Sequence, residues 1–195
     1  MDQPRRLVLA SGSAYRKALL ARLGLRFEVA VPSIDEQPLA NESPADTALR
    51  LAVLKAKSQR ASYPDALIIG SDQVAASGGK RFGKPGNHEN AARQLRELSA
   101  KAVEFHTAVA LFDARNDQLQ SSLLPCRVVF RALDERRIQA YLEKEKPYDC
   151  AGAARSEGLG IALIERIDTE DPSSLIGLPL IALSQMLERA GLPVL

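Results

Sequence analysis

Short apolar runs alternate with longer segments whose apolar positions recur every three or four residues, and this alternation runs through the first half of the chain. Leu7-Val8-Leu9-Ala10 predicts a buried strand, and Ala14 to Leu23 an amphipathic helix. Arg26 to Val31 predicts a second strand. Ser43-Pro44 predicts a helix start, because Ser43 can cap and Pro44 suits the first helical position. Ala48, Leu51, Ala52 and Lys55-Ala56 carry that period towards Ser62, and Tyr63-Pro64-Asp65 breaks it. Ala66-Leu67-Ile68-Ile69-Gly70 has the continuous apolar character of a strand covered on both faces. Next come a hairpin-like turn at Ser77-Gly78-Gly79-Lys80, a helix capped by Asn87 and running to Ser99, and a strand from Val103 to Phe112. Asn116-Asp117 turns the chain into an antiparallel neighbour, Leu119 to Arg131. Asp134 caps a helix ending near Lys146-Pro147, Gly158 to Ile167 predicts a strand, and Ser173 to Ala190 a helix whose firm part begins near Gly177. Both βαβ units and a hairpin are present, so the expected fold is α/β with a mixed sheet. The 195 residues contain no linker, repeat or low-complexity tract and suit one domain, 1–195, in one or two lobes.

The turn after the first strand holds Ser11 and Ser13, and Arg16 and Lys17 open the helix behind it. Free backbone N–H groups and the positive dipole end collect at such a place, which favours an anion such as phosphate. The same residues also suit a plain N-cap with solvated basic side chains. The spacing is neither that of a Walker loop nor that of a dinucleotide fingerprint.

Acidic residues follow apolar runs at Ile34-Asp35-Glu36 and Ser71-Asp72-Gln73, and Lys84 lies in the rigid turn Phe82-Gly83-Lys84-Pro85. Ligands of open α/β sheets bind outside the carboxyl ends of strands. Carboxylates from two such ends can share one Mg²⁺ or Mn²⁺, and together with phosphate they suit hydrolysis of a phosphoanhydride. Taken singly, Asp35-Glu36 also reads as a solvated loop, Lys55 and Lys84 as surface charges, and His88 and His106 as structural histidines.

Composition narrows the classes. Hydrophobic residues make up 46% and charged residues 26%, an ordinary globular balance. The net charge is +2 with no long basic run, and aromatics are 5%, so neither a polyanion stripe nor a base-stacking platform is expected and nucleic acid is not an expected partner. Cys126 and Cys150 have no metal-ligand spacing and read as two free thiols of a reducing compartment. Met1 to Arg6 lacks an apolar signal core and no stretch approaches a membrane span, so a cytoplasmic protein without membrane association is expected.

The assembled pattern resembles the Maf family of nucleotide pyrophosphatases across nearly the whole chain. The resemblance rests on Leu9-Ala10-Ser11-Gly12-Ser13, Arg16, Asp35-Glu36, Lys55-Ala56, Gly70-Ser71-Asp72, Gly83-Lys84-Pro85, Ala151-Gly152 and Gly177-Leu178-Pro179-Leu180. It implies an inosine-triphosphate-pyrophosphatase-like α/β fold with two lobes around a nucleotide cleft, a divalent cation and a homodimer. It implies Asp72 as the base acting on water, Glu36 with Asp72 as metal ligands, and Lys84 among the catalytic groups. Ser11, Ser13, Arg16 and Lys55 join Lys84 in holding the triphosphate.

Three departures point to one branch. The common opening Ser-x-Ser-Pro-Arg-Arg is here Ser11-Gly12-Ser13-Ala14-Tyr15-Arg16, Ser-Asp-Thr is Ser71-Asp72-Gln73, and Glu157 stands where a Gln is often found. These look like the branch acting on 7-methyl-GTP rather than on dTTP or UTP. N7-methylguanine is cationic, so an aromatic face at Tyr15 attracts it. The Glu157 carboxylate suits guanine's N1–H and N2 amine, and Gln73 would set the position of base or sugar. Tyr15 could equally pack on the first helix. The rival expectations are a pyrimidine triphosphate pyrophosphatase and a nucleotide-sensing regulator of cell division.

Overall fold

The computed structural model describes residues 3–195. Seven strands form one mixed sheet in the order β2-β1-β3-β5-β6-β7, with β4 paired to β3. The strands are β1 (Leu7–Leu9), β2 (Glu28–Val29), β3 (Leu67–Ser77), β4 (Lys80–Phe82), β5 (Ala102–Asp113), β6 (Gln118–Phe130) and β7 (Ile164–Thr169). Among the described residues five helices accompany them: α1 (Ala14–Ala21), α2 (Pro44–Ser58), α3 (His88–Leu98), α4 (Glu135–Glu145) and α5 (Leu180–Arg189). The chain forms two compact units. The first takes residues up to Gln73, Thr107–Leu124 and Asp171–Leu195, and the second takes Val74–His106 and Pro125–Glu170. Among the described residues no helix is long and apolar enough to cross a membrane.

In the first unit β1 runs parallel to both β2 and β3. Leu7 and Leu9 of β1 and Leu67 and Ile69 of β3 are buried in one cluster with Leu19 and Leu20 of α1 and Leu183, Met186 and Leu187 of α5. Each fully buried aliphatic side chain of this kind contributes about 1.5–3 kcal/mol. Strand alternation sends Ile68, Gly70 and Asp72 to the opposite face. There α2 packs so closely that a Cβ on Gly70 would lie 2.0 Å from the Ala52 carbonyl oxygen and 2.6 Å from the Ala56 nitrogen.

In the second unit β4 pairs antiparallel with the far end of β3, and β7 pairs antiparallel with β6. Ion pairs tie Lys80 to Glu97 and Arg96 to Glu135.

The structure corrects several boundaries. The strand expected at Arg26 to Val31 shrinks to two exposed residues beside β1. The run expected to end at Gly70 continues to Ser77, because β1 supports its first half, β4 supports its end, and side-chain hydrogen bonds satisfy the polar stretch between. Asp72 therefore lies inside a strand rather than beyond its carboxyl end. The strand expected from Gly158 begins only at Ile164. Residues Leu159–Leu163 form a 3-10 turn instead, drawn in by the Glu145 carboxylate, which accepts the Leu159 N–H at 2.7 Å. The final helix is split. Pro172–Ile176 is a 3-10 turn, Gly177 takes φ 115°, and α5 starts at Leu180. Asp171 serves both parts: Oδ1 accepts from the Ser173 N–H at 3.1 Å and Oδ2 from the Ile181 N–H at 2.8 Å. That supplies the cap that Pro179, with no side-chain donor or acceptor, does not.

Candidate active site

The close approach of α2 to Gly70 places Lys55 beside the next residue on that face of β3. Lys55 is buried, and its Nζ lies 2.7 Å from Asp72 Oδ1 and 3.0 Å from Glu36 Oε2. A buried ammonium is costly unless paired, and here it is shared by a buried carboxylate and a half-exposed one. The loop bearing Glu36 is fastened to α2 as well. Arg50 donates to the Gln37 carbonyl at 3.0 Å and forks onto Glu42, whose carboxylate also accepts from the Thr47 hydroxyl and the Leu39 N–H. The Arg50 hydrogen bonds are the main force holding the Glu42 carboxyl at about 2, against an ordinary 4.5.

The turn between β1 and α1 is organised by its serines. Ser11 Oγ accepts from the Ser13 N–H at 3.2 Å, and Ser13 Oγ caps α1 by accepting from the Arg16 N–H at 3.4 Å. Arg16 donates through Nε to the Gly177 carbonyl at 2.8 Å. Burial presses the Arg16 guanidinium below its ordinary value, while the charges of Asp72 and Glu36 act in the opposite sense. The structure thus brings Arg16, Glu36, Lys55 and Asp72 within mutual electrostatic reach, two cations and two carboxylates. Tyr15 is half-buried on the first turn of α1.

Gln73 continues β3 with its side chain on the face opposite Asp72. Its Nε2 lies 2.9 Å from Thr107 Oγ1 and 3.0 Å from the carbonyls of both Ser174 and Leu175. Two of these partners can only accept, so the amide nitrogen must face them.

Lys84 and Glu157 belong to the second unit. Lys84 is exposed in the turn after β4. That turn is anchored on α3: Gln94 donates to the Gly83 carbonyl at 3.1 Å and Asn90 to the Pro85 carbonyl at 3.0 Å. Glu157 Oε1 is paired with Arg155 Nε at 3.2 Å, and Arg155 Nη1 pairs with Glu145 at 3.0 Å. The Arg155 N–H also donates to the Tyr141 hydroxyl, whose proton affinity is raised by burial.

The motif reading quoted Ser71 without a role and passed over Thr107, Glu145 and Asp171. Ser71, Thr107 and Asp171 are fully or nearly buried. The signal that marks Ser71 and Thr107 is a small hydroxyl residue at the edge of an apolar run. Nothing local marks Glu145, whose partner follows it by ten residues.

Among the described residues no group of three or more His, Cys, Asp and Glu is placed to hold a metal ion. The carboxylates that share Lys55 are two, which limits what they can hold unaided.

Comparison with known proteins places the chain in a family. The Maf-like protein family model matches residues 6–190. A 7-methyl-GTP pyrophosphatase of Cupriavidus pinatubonensis is 54% identical over 188 residues, covering 96% of this chain and 94% of the relative. One of Thiobacillus denitrificans is 53% identical over 189 residues, covering 97% and 94%. One of Paraburkholderia xenovorans is 52% identical over 198 residues, covering 100% and 97%. With motifs, fold and near-full-length relatives in agreement, this chain belongs to the Maf family.

Proposed function

We propose that the protein is a nucleoside triphosphate pyrophosphatase that hydrolyses 7-methyl-GTP to 7-methyl-GMP and diphosphate. The observation that carries the chemistry is Lys55 held between Asp72 and Glu36. Lys55 occupies Asp72 Oδ1 and so fixes the carboxylate's orientation, leaving Oδ2 to accept a proton from water. The oxygen of that water forms a bond to phosphorus as the α–β anhydride bond breaks, and diphosphate leaves. Arg16 and Lys55, with hydrogen bonds from Ser11 and Ser13, stabilise the charge that builds on the phosphate oxygens, and Lys84 keeps the catalytic role that the family resemblance implies for it. The substrate choice is supported by relatives that carry this name at 52–54% identity. Tyr15 offers an aromatic face to a cationic base, and Glu157 offers a carboxylate to guanine's donors.

A divalent cation, Mg²⁺ or Mn²⁺, is part of this reading. Lys55 Nζ takes Glu36 Oε2 and Asp72 Oδ1, which leaves one oxygen of each carboxylate, and Mg²⁺ commonly takes one or two carboxylates and completes its shell with water and substrate phosphate. Glu36 and Asp72 fit an ion of that kind, arriving with the triphosphate. When bound it would neutralise phosphate charge and polarise the scissile bond. A cytoplasmic homodimer completes the reading. Both cysteines are free thiols, in keeping with a reducing compartment.

The test is diphosphate release from 7-methyl-GTP, GTP, dTTP and UTP with Mg²⁺ or Mn²⁺, with Asp72→Asn as control. We expect preference for 7-methyl-GTP and a loss of roughly 10²–10⁴-fold in turnover for the variant. Preference for dTTP or UTP would overturn the base assignment, and near-normal activity of Asp72→Asn the mechanism. No release from any nucleotide would point to a nucleotide-sensing regulator.

A further inference from the structure

The face of β3 opposite Asp72 carries a second arrangement that the chemistry above does not use. Ser71 is fully buried, and its Oγ lies 2.8 Å from the Gly177 carbonyl and 2.7 Å from the Ala108 carbonyl. Gln73 Nε2 reaches the Ser174 and Leu175 carbonyls, and the buried Thr107 hydroxyl donates to Ser174 as well, at 2.9 Å. The single Ser71 hydroxyl proton is shared between the Ala108 and Gly177 carbonyls, so three side chains from two neighbouring strands meet the turn at the carbonyls of Ser174, Leu175 and Gly177.

The Gly177 carbonyl is the one that accepts from Arg16 Nε. Gly177 also lies with φ 115°, where a Cβ would be strained and would stand 3.5 Å from that same Nε. A hydrogen bond at Nε restrains rotation about the stem, and the planar fork then sets the direction of the two terminal nitrogens.

We propose that Ser71, Gln73 and Thr107 are positioning residues for Arg16. They clamp the 174–177 turn so that the Gly177 carbonyl holds the guanidinium in the orientation that receives the triphosphate. The inference rests on Arg16 being a triphosphate ligand, as in the proposed function. The Gln73 amide nitrogen faces the turn, and through it Gln73 acts on Arg16. One strand then serves the site from both faces, presenting Asp72 on one and orienting Arg16 from the other.

The test is a double-mutant cycle read by binding of inorganic tripolyphosphate with Mg²⁺, which has neither base nor sugar. KM and kcat for 7-methyl-GTP are measured in parallel. Ser71→Ala should weaken tripolyphosphate about tenfold, the loss that follows when a charged group's hydrogen-bonded partner is no longer held. It should raise KM more than it lowers kcat. In an Arg16→Ala background the same change should have no further effect. Thr107→Val should behave like Ser71→Ala, while Thr107→Ser, which keeps the hydroxyl, should restore binding. This pair of similar-sized residues keeps the test open should Ser71→Ala fail to fold.

Additive losses in the cycle, or equal binding by Thr107→Val and Thr107→Ser, would overturn the inference. A wild type that does not bind tripolyphosphate would overturn it too. A wild type that binds tripolyphosphate but prefers another nucleotide would sink the base assignment and leave the clamp standing. Diphosphate release from 7-methyl-GTP with additive losses would sink the clamp alone.

Discussion

Gly70→Ala is the perturbation that tests how the site is assembled. The added Cβ would stand 2.0 Å from the Ala52 carbonyl oxygen, 2.6 Å from the Ala56 nitrogen and 3.1 Å from the Ala52 carbonyl carbon. All three are backbone atoms of α2, so no rotamer change relieves them. Heavy atoms reach their optimal separation at about 3.5 Å, and full relief therefore moves α2 away from β3 by roughly 1.5 Å. Overpacking of a tight interface costs about 1–3 kcal/mol, and a clash against backbone belongs at the upper end. The opposing gain, from a less flexible unfolded chain, is only about 0.4–1 kcal/mol. A net loss near 2–3 kcal/mol lowers the melting temperature of a chain this size by roughly 4–12 °C.

Lys55 rides on the displaced helix. Its 2.7 Å contact with Asp72 would open past hydrogen-bond range unless the lysine stem straightens. Misplacement by about 1 Å can cost 10²-fold in rate, so kcat/KM for diphosphate release should fall by about that factor even well below the new melting temperature. Thermal melts and steady-state kinetics at 20–25 °C read the two effects separately. A variant with an unchanged melting temperature and wild-type kcat/KM would refute the close packing of α2 on Gly70 and the placement of Lys55 that depends on it.

Glu157→Gln should lower the preference for 7-methyl-GTP over GTP about tenfold while changing diphosphate release from GTP little; equal loss on every nucleotide would argue against base reading. Glu42 carries a depressed carboxyl, so its contribution to stability is present above the ordinary 4.5 and is lost as pH falls towards about 2. Urea midpoints of wild type and Glu42→Gln should therefore differ most at pH 7, differ less at pH 3 and converge only below about pH 2, and a gap that widens in acid would contradict the ion pair. Burial raises the Cys126 thiol to about 11, so at pH 8 only about one part in a thousand is thiolate. A thiol reagent should titrate one cysteine per native chain quickly and the second only on unfolding. Two fast thiols would contradict the buried environment.

Much of the architecture is local in origin and legible in the order of residues. Apolar runs against three-to-four-residue periods mark four of the five helices closely, because each is opened by its own Ser, Asn or Asp cap and stopped by a local break. The long strands β5 and β6 are legible for a similar reason, as their apolar pattern continues to within a residue or two of where pairing ends. Asp72 stands out on its own, since a charge beside a buried strand is conspicuous, whereas Asp35-Glu36, Lys55 and Lys84 taken singly read as a solvated loop and surface charges.

Other features depend on groups distant in sequence. No local pattern could extend β3 past Gly70 through Ser71-Asp72-Gln73, because those polar groups are tolerated in a strand only once Lys55, Thr107 and the 174–177 carbonyls meet them. The sequence places the start of the firm last helix near Gly177, but no period shows that Asp171 supplies its cap from outside the helix. The sequence by itself determined which residue types are available, where most helices start and stop, and the alternation that puts Asp72 on one face of a strand and Ser71 and Gln73 on the other. Only the tertiary structure decided that Lys55 lies between Asp72 and Glu36 and that Arg16 is held by the Gly177 carbonyl. Those contacts join residues 17 to 161 positions apart, and pairing at that separation is set by packing of whole elements rather than by any local preference of the chain.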